Sequence, residues 1–88
     1  MQTGLLWFDN DPSRGLAAKV EDAARRYREK FGLPPDTCYV CEAALQGREL
    51  TVTLPGVQGR SLRVLPASNV LAHHFWVGIE DQGASQLG

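Results

Sequence analysis

The sequence predicts a single α+β domain: a β-α-β opening followed by antiparallel strands, with one long helix on one face of a mixed four- or five-stranded sheet. Three observations carry this reading. Leu5 to Phe8 is apolar at every position, residues 16–31 repeat apolar side chains every three or four places, and the chain after residue 46 switches to two-residue alternation. At 88 residues there is room for one domain, read as residues 1–80 with a flexible polar tail at 81–88.

Leu5-Leu6-Trp7-Phe8 has bulky residues at both parities, which predicts a central strand buried on both faces. Asp9-Asn10-Asp11-Pro12 ends it, with Asp11 placed to cap a helix and Pro12 suited to its first turn. The helix follows. Leu16, Val20, Ala23, Ala24, Tyr27 and Phe31 form one apolar stripe. Arg28 and Lys30 stand in the last turns, where the helix dipole favours cations. Gly32 suits a left-handed C′ position, and Pro34-Pro35 bars continuation.

Thr37 to Glu42 is β-rich and predicts the second strand, joined to the first by a parallel crossover. Leu50 to Leu54 alternates, and Pro55-Gly56 and Gln58-Gly59 signal turns. Leu62 to Leu65 predicts a short strand closed by Pro66. Phe75, Val77 and Ile79 predict the inward face of the last strand.

The composition is that of an ordinary globular domain, 43% hydrophobic and 22% charged, which excludes wholesale disorder. A net charge of −1 supplies no field to draw in a polyanion and little self-repulsion. No apolar run reaches the roughly 20 residues of a membrane-spanning helix. Two cysteines are too few for a disulfide scaffold, so the expected setting is the reducing cytoplasm.

One helix covers only part of such a sheet. The remaining face has to meet something, and Trp7, Tyr39 and Trp76 are the aromatic candidates to line it. The expected function is therefore a non-enzymatic interaction module. It either self-associates, most simply as a homodimer, or takes an unidentified protein partner, with no cofactor.

Four groups of residues admit sharper chemistry. Cys38 and Cys41 form C-x-x-C, and with His73 and His74 they are candidates for a zinc site or, for the cysteines, a redox pair. Strand geometry opposes this, because residues three apart, like adjacent ones, point to opposite faces. Asp9 and Asp11 follow a hydrophobic strand where open α/β sheets place ligands, and are candidates for catalysis or metal-dependent phosphate binding. This strand-Asp-x-Asp stretch resembles the first motif of haloacid-dehalogenase-type phosphotransferases. That resemblance implies a nucleophilic first Asp, a proton-handling second Asp and bound magnesium, although the rest of that fold does not fit in this chain. Arg25, Arg26 and Lys30 are candidates for phosphate contacts in a nucleic-acid accessory, diluted by Glu21, Asp22 and Glu29. Two histidines at a strand start can titrate near neutral pH and bias an interface. In the stretches Leu5 to Pro12 and Val70 to Glu80, the chain resembles short uncharacterised bacterial α/β proteins, a likeness that implies no activity.

Overall fold

A computed structural model describes residues 4–54 and 60–80. The elements run β1 (Gly4–Phe8), α1 (Leu16–Phe31), β2 (Thr37–Cys41), α2 (Glu42–Leu45), β3 (Leu50–Thr53), β4 (Ser61–Ala67) and β5 (His74–Gly78). The turn signals at 55–59 and the tail at 81–88 lie outside the described residues.

The five strands form one mixed sheet in the order β1-β5-β2-β4-β3. The β2–β4 pair is parallel and the other three pairs are antiparallel. β1 and β2 therefore run parallel, as the β-α-β reading requires, but β5 enters between them. β1 is thus an edge strand and not the predicted central one, with Leu6 58% and Phe8 53% exposed. Its apolar run promised burial on both faces, yet only Leu5 and Trp7 pack against the core.

α1 and α2 lie on one face. Val20, Ala23, Ala24 and Tyr27 of α1 and Leu45 of α2 close over Cys38, Val40, Val52, Leu62, Val64, Phe75 and Val77. The alternation in β3, β4 and β5 holds for this face, except that β5 ends at Gly78 and leaves Ile79 outside it.

α1 starts later than expected. Its N-cap is Gly15, with no side-chain cap. Asp11 instead caps the preceding turn: its Oδ1 accepts the Ser13 N–H at 2.9 Å and the Ser13 hydroxyl at 2.7 Å. An Asp with a Ser two residues on satisfies itself locally, so the chain turns before the helix begins. The C-terminus matches the reading. Gly32 sits at φ 80° and donates its N–H to the Arg28 carbonyl at 2.8 Å. A Cβ there would meet nothing within 4 Å, so any penalty is backbone strain alone. Gly32→Ala is expected to cost about 1–2 kcal/mol, read from the midpoint of urea unfolding.

Two further details differ from expectation. Pro66 does not close β4 but lies inside it, opposite Val40. The ladder with β3 ends at Val64, leaving one side of β4 open where the proline lacks its N–H. α2 begins directly after Cys41, where no clear helix was expected.

Candidate functional site

The face away from α1 is where chemistry-bearing side chains collect. Cross-strand partners share a face, so the register defines an apolar row across the sheet: Leu6, Trp76, Tyr39, Leu65. Phe8 and His74 form a second row beside it, their rings 5.0 Å apart. The 68–73 connection flanks these rows, with Leu71 72% exposed. Leu6, Tyr39, His74 and Trp76, with Val70 and Leu71, line an open groove of about 480 Å³. The other end of the face is polar, with Thr37, Arg63 and Thr51 in line. No helix among the described residues covers the apolar rows.

Tyr39 is anchored at the boundary. Its hydroxyl donates to Glu80 Oε2 at 2.6 Å, and the Glu80 N–H donates to Asp36 Oδ1 at 2.9 Å. The bond holds the Glu80 carboxyl below its ordinary 4.5 and raises the phenol above its ordinary 10.0. The stability it contributes is present above the unfolded carboxyl pKa and is lost as pH falls through the depressed folded value. At the alkaline end it is present below pH 10.0 and is lost as pH rises through the raised phenol value. Tyr39→Phe is expected to flatten the urea-midpoint profile at both ends while leaving the neutral fold intact.

Of the three aromatics expected on the second face, Tyr39 and Trp76 are there and Trp7 is not. Trp7 faces Phe75 on the helix side, packs against the core and lies 5.3 Å beneath the Arg26 guanidinium. Its indole N–H is buried with no hydrogen-bond partner among the described residues. The register of β1 on β5 decides this: Trp7 lies opposite Phe75, whose side chain is in the core.

The cysteine and histidine candidates do not converge. Cys38 faces the helix side in the core, and burial pushes its thiol up to about 12. Cys41, three residues on, has the opposite parity. His73 lies in the β4–β5 connection with φ 65°, and the His74 ring packs at a tilt against Phe8. Cys41, His73 and His74 do share the wall of one small cleft of about 190 Å³. Among the described residues, however, no three His, Cys, Asp or Glu side chains gather to hold a metal ion.

The two aspartates are engaged within the chain. Asp9 Oδ1 accepts the Asp11 N–H at 3.0 Å, and its Oδ2 pairs with Arg14 at 3.2 Å. Arg14 also pairs with Asp22, tying the β1–α1 turn to the helix. Hydrogen bonds from Ser13 lower the Asp11 pKa. The basic candidates are likewise partnered: Arg25 with Asp22 at 3.0 Å, Arg26 with Glu29 at 3.5 Å, and Lys30 over the Phe31 ring at 5.5 Å.

Leu6, Phe8, Leu65 and Leu71 belong to the open face and were not singled out by sequence reasoning. Leu6 and Phe8 stood in the apolar run read as a buried strand, and Leu71 in Val70-Leu71, an apolar pair amid polar loop residues. Comparison of the chain with protein families, curated proteins and solved structures finds no match.

Proposed function

We propose that the protein is a non-enzymatic interaction module that self-associates, most simply as a homodimer, through the apolar part of its open sheet face. The observation that carries this reading is the row Leu6–Trp76–Tyr39–Leu65, which lies opposite both helices with no described element over it. Apolar, aromatic-rich patches rimmed by polar groups are how small domains present interfaces, and Trp and Tyr dominate the energy of such contacts. The polar end and the Tyr39–Glu80 bond supply a rim. A net charge of −1 offers little repulsion between copies. Both cysteines are free, which supports a reducing compartment, and the resemblance to short bacterial proteins favours a bacterial cytoplasm.

Native mass spectrometry and sedimentation of the purified protein test the reading. Trp76→Asp is expected to give a folded monomer where the wild type is a dimer, with association at least about tenfold weaker. A wild type that stays monomeric at high micromolar concentration contradicts self-association.

A further inference from the structure

β1 is a bare sheet edge: among the described residues no strand pairs with its outer side. The direction of its backbone groups follows from one hydrogen bond. The Asp9 N–H donates to the His73 carbonyl at 3.0 Å, one step beyond the Phe8–His74 pair. Antiparallel ladders alternate bonded and non-bonded pairs. The pairs that exchange bonds are then Trp7–Phe75 and Leu5–Val77. The N–H and C=O groups of Gly4, Leu6 and Phe8 point away from β5, into the open edge. Leu6 and Phe8 place their side chains on the open face.

Natural edges are blunted by Lys, Pro, inward charges or bulges. β1 has none of these: Gly4 to Phe8 contains no charge and no proline. The opposite edge differs, since Arg48-Glu49 precedes β3 and its outward face carries Thr51 and Thr53.

We infer that β1 pairs antiparallel with β1 of a second copy, about a two-fold axis at Leu6, to make one continuous ten-stranded sheet. The occupant is argued from self-complementarity. With the axis at Leu6, Leu6 meets Leu6, and Gly4 of each copy meets Phe8 of the other. Each of these pairs exchanges outward-pointing bonds, so every free group of the strand is satisfied. Phe8 lies over a glycine, where the missing side chain leaves room for its ring. The axis stands perpendicular to the sheet and keeps both helices on one side. The two apolar rows then join end to end through Leu6. Beside β1, the helix strip carries Arg26, Glu29 and Lys30, so each copy presents both signs of charge to the other.

This rests on the self-association proposed above but moves its seam from the open face to the β1 edge. The apolar rows stay uncovered, and Trp76 lies one strand in from the seam. A Trp76→Asp variant that stays dimeric therefore supports edge pairing, and one that becomes monomeric supports face packing. The test is residue-resolved amide hydrogen exchange on the intact protein at low and high micromolar concentration, with the oligomeric state measured in parallel. The Leu6 and Phe8 amides are expected to exchange at least about tenfold more slowly at the higher concentration, while those of Leu5 and Trp7 are protected at both. Leu6→Pro removes an outward N–H without breaking the β1–β5 ladder, and is expected to be folded by circular dichroism and monomeric. A wild-type dimer whose Leu6 and Phe8 amides exchange at the monomer rate overturns edge pairing and leaves self-association standing. A folded Leu6→Pro that remains dimeric does the same. A wild type that is monomeric throughout overturns both. If Leu6→Pro does not fold, the wild-type amides still decide.

Discussion

Val77→Asp is expected to leave the chain unfolded at 25 °C, whereas Trp76→Asp leaves it folded. The two residues are neighbours on β5 and receive the same carboxylate. Val77 is fully buried on the helix side, between Leu5 of β1 and Cys38 of β2. No cation of the described residues pairs with that position, so the charge meets only apolar side chains. Placing an uncompensated charge in such a seam exceeds the usual range of point substitutions, about 4–5 kcal/mol or more. A domain of this size has roughly 5 kcal/mol to lose. Trp76 points to the opposite face, where the same carboxylate stays in water. Far-ultraviolet circular dichroism of both variants checks this. A folded Val77→Asp with native melting contradicts the assignment of the two faces.

Phe75→Ala is the second large effect, an expected loss of about 3–5 kcal/mol. Phe75 is 3% exposed and pairs with Trp7 on one side and Val40 on the other. β5 is the strand that joins β1 to the rest of the sheet, so the cavity opens where β1 is held. Urea denaturation measures the loss. Because Trp7 lies directly across from the missing ring, its fluorescence is expected to report early loosening of β1 before the global transition. A loss under about 1 kcal/mol would show that the seam closes over the gap.

These expectations depend on face and edge, which were unequally legible in the sequence. α1 was legible because its apolar stripe and its Gly32 stop are both local signals: periodicity and the left-handed C′ position need no knowledge of neighbours. The helix start was misread because Asp11 has two local uses, helix cap and turn cap, and Ser13 decides between them. The run Leu5 to Phe8 was read as central because apolar content measures burial without saying what provides it. Part of that hydrophobicity faces outward at Leu6 and Phe8.

The open face was legible in kind and not in membership. A sheet of this width with one long helix leaves a face uncovered, and that follows from counting elements. Which aromatics lie on it does not. Tyr39 and Trp76 oppose each other because β2 and β5 are neighbours, while Trp7 turns inward because β1 pairs with β5 in the Trp7–Phe75 register. No spacing in the chain encodes that a strand seventy residues later is inserted between the first two.

By itself, the sequence determined the α+β class, the long helix with its glycine stop, and the alternating faces of the later strands. Each follows from interactions within a few residues, where backbone sterics and side-chain period leave one answer. The tertiary structure alone decided the strand order, the edge position of β1 and the burial of Trp7. Those are contests between distant segments for the same hydrogen-bonding edge, resolved only when all of them pack over one core.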